Sequence, residues 1–274
     1  MPQLLDAVAA EHTVLLEAPP GAGKTTVVPP ALLDAPWLGT QKILMLEPRR
    51  LAAKAAAQRM AQLRGEKVGE TIGYRMRHET AVGPRTRIEV MTEGVLARRL
   101  VRQPELPGVG LVIFDEFHER SIHADLGLAL TMLSRSLVRA DLRILVMSAT
   151  LDVDALHRVV PDAPVVRNHG RSFPVDVRYL RSDPERPLPD LVAAGVRDAL
   201  RDDEGDVLCF LPGQAEIRRT RDLLEASTSV RESAEVLVLH GELKGEEQDH
   251  IIRPSGQTRR VILSTAIAET SITI

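Results

Sequence analysis

The chain has 274 residues, 44% of them hydrophobic and 27% charged, with 18 Gly, 18 Pro and a net charge of −3. That length suits two domains better than one, and the composition excludes disordered and fibrous classes. No apolar run approaches the roughly 18 residues of a membrane span, and MPQLLDAVAAEHT carries acid where a signal peptide wants base, so a cytoplasmic location is expected.

Short apolar, β-rich runs recur along the chain, each followed by helical periodicity, which is the alternation of a parallel α/β sheet. VLLEA (14–18), KILMLE (42–47), IEVMT (88–92), LVIFDE (111–116) and RILVMSA (143–149) read as buried strands of one sheet, and 51–63 and 124–137 as crossover helices. The stretch 160–187, dense in Pro and charge, reads as a junction. Beyond it come a helix near 188–201, a strand at 206–211, a helix at 214–226, a strand at 235–240, a helix at 244–252 and a strand at 259–265. Because the chain stops on the apolar SITI, the second sheet is expected to be truncated. The expected division is an ATP-binding domain at 1–165, a junction at 166–186 and an incomplete second domain at 187–274.

The first strand runs into APPGAGKTT and then a helix, the context of a phosphate-binding loop. Gly21 and Gly23, with Ala22 between them, let successive N–H groups face a phosphate, and the helix N-terminus adds its dipole over Thr26. Lys24 reaches the terminal phosphates and Thr25 supplies an Mg²⁺ ligand; Ala18 stands where the general template has its first glycine. LVIFDEFH ends a strand in two adjacent carboxylates, where such sheets bind ligands. Asp115 is placed to hold Mg²⁺, and Glu116 to orient or deprotonate the water that attacks the γ-phosphate. His118 and His123 are five apart rather than four, which argues against a zinc site of the HExxH kind. The single cysteine, Cys209, lies in VLCFL and reads as core rather than nucleophile.

The ordered segments resemble the DEAH/RHA helicases of superfamily two, with the DEFHER variant and GRSFPV (170–175) closest to the HrpB-type branch. APPGAGKTT is similar to motif I of that family, EPRRLAA to motif Ia, GYRMR and MTEGVL to the motifs that follow, DEFHER to motif II and SAT (148–150) to motif III. FLPGQAEI and STAIAETSITI are similar to motifs IV and V, with Ala266 where the family commonly has Asn. The resemblance implies tandem RecA-like domains that clamp ATP and Mg²⁺ and track 3′ to 5′ along one strand of RNA or DNA. It implies a catalytic set of Lys24, Asp115, Glu116 and His118 and an adenine-stacking Arg59. It also implies backbone contacts from Arg49, Arg50, Thr92 and Thr265, and a link between hydrolysis and domain movement at Ser148 and Thr150.

The net charge of −3 and the 3% aromatic content leave any nucleic-acid contact to a local basic strip facing phosphates rather than to stacking. The family's QRxGRxGR run of finger arginines does not occur in these residues. The alternative reading is therefore a nucleotide- and nucleic-acid-binding module of little turnover. A P-loop ATPase of the transporter or AAA type fits less well, because it predicts neither SAT nor the PRR and ETS segments.

Overall fold

The computed structural model describes residues 1–168, 170, 174–179, 183, 185–241, 243, 247, 251 and 258–268. The chain divides into two compact units, Met1–Phe173 and Pro174–Ile274.

In the first unit the elements run α1 (Pro2–Ala10), β1 (Thr13–Glu17), α2 (Lys24–Ala31), β2 (Lys42–Glu47), α3 (Arg50–Leu63), β3 (Ile72–Met76), β4 (Glu79–Ala81) and β5 (Ile88–Thr92). They continue through α4 (Glu93–Arg102), β6 (Val109–Phe114), α5 (Ile122–Leu137), β7 (Arg143–Ser148), α6 (Val153–His157) and β8 (Val165–Arg167). The eight strands form one sheet in the order β4-β3-β5-β2-β6-β7-β1-β8. Every pairing is parallel except β3 with β4.

Each central strand is apolar on both faces because both faces are covered. Val14, Leu16, Ile43, Met45, Ile113 and Leu145 point to the side holding α1, α2 and α3. Leu15, Leu44, Leu46, Val112, Phe114 and Val146 point to the side holding α4 and α5. Each such side chain contributes roughly 2 kcal/mol by burial. Small residues bring the helices close: Ala53, Ala56 and Ala57 of α3 are buried, and a Cβ on Gly127 of α5 would stand 3.4 Å from Phe114.

All five strands expected here form in the one sheet, and three further strands join it. GYRM of the GYRMR segment lies in β3, which folds back on β4 through a hairpin turn of Arg77 and His78, the latter at a positive φ of 69°. β8 pairs with β1, Leu15 opposite Val165, so the first sheet runs on to Arg167, and the units divide between Phe173 and Pro174, inside the stretch 166–186 expected as the junction. The GRSFPV segment lies partly outside the described residues, since 171–173 are among those not described.

The second unit contains α7 (Leu188–Asp202), β9 (Val207–Phe210), α8 (Gln214–Glu225), α9 (Thr228–Ser233), β10 (Ala234–Leu239) and β11 (Arg259–Ser264). The strands are parallel in the order β10-β11-β9. Val196, Ile217, Leu224, Val261 and Leu263 form the core beneath α7 and α8. Cys209 faces that core half-buried, and burial raises its thiol to about 11, which leaves it a poor nucleophile. Buried Arg260 fixes the start of β11: its Nε donates to Asp206 Oδ2 at 2.8 Å and its backbone N–H to Asp206 Oδ1 at 2.9 Å. The helix expected at 244–252 and the end of STAIAETSITI, 269–274, lie outside the described residues apart from Glu247 and Ile251.

Candidate nucleotide-binding and hydrolysis site

After β1 the chain returns to the sheet at β2, three places away, and β6 and β7 later fill the gap. The crevice beyond the carboxyl ends of such strands is where open α/β sheets bind ligands. The ends of β1, β7, β6, β2 and β5 share that edge, with Glu17 opposite Ser148 and Glu47 opposite Thr92.

The loop after β1 turns on Gly21 and Gly23, whose φ angles of 76° and 80° suit glycine. At Gly23 a Cβ would also meet Val27 Cγ2 at 2.9 Å, so the turn into α2 needs a residue without one. The first backbone bond of α2 runs from Val27 N–H to Gly23 O at 2.8 Å, which leaves the first-turn N–H groups of Lys24, Thr25 and Thr26 aimed into the loop. The Lys24 ammonium is buried there and donates to Ala18 O at 2.7 Å and Pro19 O at 3.2 Å. Those carbonyls hold the cation in the place where a phosphate would compete for it. A cavity of about 200 Å³ adjoins the loop, lined by residues that include Leu4, Ala22, Lys24 and Arg167.

Asp115 follows β6 directly, buried, and its N–H donates to Leu46 O of β2 at 3.1 Å. Its Oδ2 accepts from the Thr25 hydroxyl at 2.6 Å and its Oδ1 from the Glu116 N–H at 2.8 Å. The two groups expected to hold Mg²⁺ therefore meet across the crevice, from strands that β7 separates. Glu116 sits at φ 48°, in the left-handed region that a non-glycine residue rarely takes. Glu116 holds the N-cap position of the 3₁₀ turn Phe117–Glu119.

Burial, and after it the negative charge of Asp115, pushes the Glu116 carboxyl up to about 7, against the pull of Lys24. Burial likewise raises Asp115, although the Thr25 hydroxyl and the Glu116 N–H oppose it. His118 Nδ1 accepts from the Ala149 N–H at 3.3 Å and lies 3.4 Å from Glu116 Oε2. Nδ1 carries either one lone pair or one proton, so it accepts from the Ala149 N–H or donates to Glu116 Oε2, and the two contacts exchange with the tautomer. His118 thereby touches both the carboxylate and the SAT segment, where buried Ser148 donates to Thr150 O at 2.5 Å while Thr150 itself is exposed.

Arg49 and Arg50 begin α3 beside this edge, but neither stands as a bare cation. Arg49 Nε lies 3.4 Å from Glu119 Oε2, and Arg50 Nη2 lies 3.8 Å from Glu79 Oε2. Glu79 also faces Lys54 at 3.4 Å and accepts from the Tyr74 hydroxyl at 2.8 Å, which ties the β3–β4 hairpin to α3. The expected basic strip is thus partly neutralised from within. Thr92 holds the N-cap position of α4 at the end of β5, with no side-chain bond to the helix's first N–H groups. Arg59 is exposed further along α3 and donates to Gln62 at 2.9 Å, within its own helix and not to the phosphate loop. Thr265 follows β11 in the second unit, its N–H donating to Leu239 O at 3.4 Å.

Sequence reasoning missed one residue at the centre of the site. Glu47 ends β2 fully buried among carboxylates, and its two oxygens have no hydrogen bond of ordinary geometry among the described residues. Asp115 faces it most closely, then Glu116 and Glu119, and burial followed by these charges holds its carboxyl well above the ordinary carboxylate range. Leaving such a group unsatisfied costs about 1–3 kcal/mol. The rule that strand ends carry ligands, applied to KILMLE as it was to LVIFDE, points to it.

A glycine-turned loop, a buried lysine and a strand-end carboxylate bonded to the helix-start threonine define a nucleotide-binding α/β protein of the RecA-like kind. Residues 2–159 match the DEAD/DEAH box helicase family and 188–274 match the helicase conserved C-terminal domain, so the chain belongs to the DEAD/DEAH box helicases. It is 50% identical, over its whole length, to the ATP-dependent RNA helicase HrpB of Escherichia coli, covering 34% of that protein. It is 34% identical to the HrpA homolog of Haemophilus influenzae, covering 97% of this chain and 20% of that one. It is 35% identical to the probable ATP-dependent RNA helicase DHR2 of Saccharomyces cerevisiae, covering 99% of this chain and 38% of that one. The crystal structure of the E. coli DEAH/RHA helicase HrpB superposes with a TM-score of 0.89 over all of this chain and 35% of that one. The chain spans about a third of the length of its E. coli relative.

Proposed function

We propose that this chain forms the ATP-binding and hydrolysing part of a helicase that couples ATP hydrolysis to 3′-to-5′ movement along a single strand of RNA or DNA. The observation that carries the reading is the convergence of Lys24, Thr25, Asp115 and Glu116 at the carboxyl edge of one sheet, with Thr25 Oγ1 2.6 Å from Asp115 Oδ2.

In this reading the loop Gly21–Thr26 cradles the phosphates, and Lys24 exchanges its two loop carbonyls for phosphate oxygens. Thr25 and Asp115 would hold Mg²⁺, which supplies charge neutralisation on the transferring phosphoryl group. Glu116 orients a water and accepts its proton; a carboxyl raised to about 7 is a stronger base at neutral pH than an ordinary glutamate. His118 steadies Glu116 and passes its position to Ser148 and Thr150. Arg59 stacks on the adenine, while Arg49, Arg50 and Thr92 meet the strand's phosphates from the first unit and Thr265 from the second. Contacts of that kind read backbone rather than base.

The test is titration of a fluorescent ATP analogue with and without Mg²⁺, beside phosphate release with and without single-stranded RNA or DNA. Mg²⁺-dependent binding with stimulated release that Glu116→Gln abolishes supports the reading. Binding without stimulated release selects instead a nucleotide- and nucleic-acid-binding module, and absence of binding refutes both.

A further inference from the structure

Glu47 is the least satisfied side chain in the first unit: among the described residues, the buried side-chain polar atoms without a partner are its two carboxylate oxygens and, in the second unit, Thr220 Oγ1. The rest of β2 from Ile43 to Leu46 is apolar and equally buried, so an aliphatic residue would suit the place better on packing alone. The Asp115 N–H bond to Leu46 O sets Glu47 and Asp115 side by side as their strands end. Glu47 therefore looks onto the group that bonds Thr25.

What would satisfy it is constrained by charge. A phosphate oxygen would be repelled, since Asp115, Glu116 and Glu119 already face Glu47. Lys24 is occupied by Ala18 O and Pro19 O. Without a cation Glu47 and Asp115 can share one proton between their carboxyls, and what takes that proton's place must donate hydrogen bonds and bring positive charge, as the water of a hydrated divalent cation does; Mg²⁺ keeps several of its waters when protein-bound. We propose that Glu47 is a positioning residue of the Mg²⁺ site, accepting hydrogen bonds from water on the ion held by Thr25 and Asp115. This rests on the nucleotide-site reading and adds to it a third carboxylate that acts through water.

The experiment uses the whole chain with Glu47→Gln and Glu47→Leu, titrating Mg²⁺ into the protein with a fluorescent ADP analogue, and repeating with Mn²⁺ and ADP followed by electron paramagnetic resonance. Outer-shell partners of a metal typically account for about 10- to 100-fold in metal affinity. Glu47→Leu should raise the half-saturating Mg²⁺ by about tenfold or more, with Glu47→Gln, which keeps one acceptor, in between. The Mn²⁺ spectrum should change in both, and nucleotide affinity in EDTA should stay within about twofold of wild type. Equal Mg²⁺ half-saturation and an unaltered Mn²⁺ spectrum in either folded variant would overturn the proposal. So would equal loss of nucleotide affinity with and without metal, which marks a structural role or a trapped water unrelated to the ion. Wild-type chain that binds nucleotide without regard to Mg²⁺ would instead bring down the nucleotide-site reading and this proposal with it.

Discussion

Glu116→Gln should flatten the pH dependence of the first unit's stability. The wild-type carboxyl moves from an ordinary 4.5 to about 7 on folding. A carboxyl raised on folding binds more protons in the native state, so its contribution is fully present below about 4.5 and is lost as pH rises through about 7. A shift of about 2.5 units at roughly 1.4 kcal/mol each gives an upper bound of about 3 kcal/mol. The side chain is 17% exposed, so screening reduces this to about 1–2 kcal/mol. Glutamine keeps the shape and carries no proton to titrate. Urea unfolding can be followed by the fluorescence of the chain's single tryptophan, Trp37, which packs on the first core beneath Arg143. Between about pH 5 and about pH 8 the stability of the variant relative to wild type should rise by about 1–2 kcal/mol. Asp115 and Glu47 titrate in both proteins, but Glu116 helps to raise Glu47 and is itself raised by Asp115, so the difference reports Glu116 together with its coupling to them. A difference that stays level, or falls, would refute the account of Glu116 as a carboxyl strained upward by burial and Asp115.

Lys24→Ala should weaken ATP-analogue binding by roughly 10- to 100-fold, because it removes the buried ammonium next to the phosphate loop; isothermal titration measures it. Arg260→Ala should destabilise the second unit by about 1–3 kcal/mol, since it removes charge-assisted hydrogen bonds to a carboxylate that itself stays solvated, read as loss of β-sheet ellipticity at lower urea.

The parts legible in the sequence were those fixed by local pattern. A glycine-rich turn between an apolar strand and a helix brings Lys24 and Thr25 to the sheet edge, and an apolar run ending in two acids does the same for Asp115 and Glu116. The strands that went unread have weak local signals. β8 is three residues inside a stretch dense in Pro and charge, and exists because β1 offers it an edge; β4 is three residues with no fully buried side chain. Charge pairing was not legible at all. EPRR shows two arginines in a row, but the carboxylates that meet them come from Glu119, beyond β6, and Glu79, in the β3–β4 hairpin. Glu47 was hidden for a related reason, since only the alignment of β2 with β6 makes its neighbour an acid.

The Arg49–Glu119 pair joins the segment proposed to meet nucleic acid to the carboxylate run of the proposed hydrolytic site. Glu119 is three residues from Glu116 and its charge helps raise that carboxyl, while Arg49 heads α3 at the same edge. A phosphate arriving at Arg49 must share it with Glu119 or displace it. The side chains are 34% and 14% exposed at 3.4 Å, a half-open geometry in which an ion pair contributes about 1 kcal/mol or less. Glu119→Gln should therefore tighten binding of a single-stranded oligonucleotide by up to about fivefold, equally for unrelated sequences, because the gain is at the backbone. Arg49→Ala should cost more in the Glu119→Gln background than in wild type, since there the phosphate has Arg49 to itself; the double-mutant cycle reads that difference directly. Fluorescence anisotropy over a range of salt is the assay, and the slope of log affinity on log salt should fall by about 0.7 in Arg49→Ala, which neutralises one phosphate fewer. If Glu119→Gln weakens binding, or Arg49→Ala costs the same in both backgrounds, then Glu119 does not compete with the strand for Arg49.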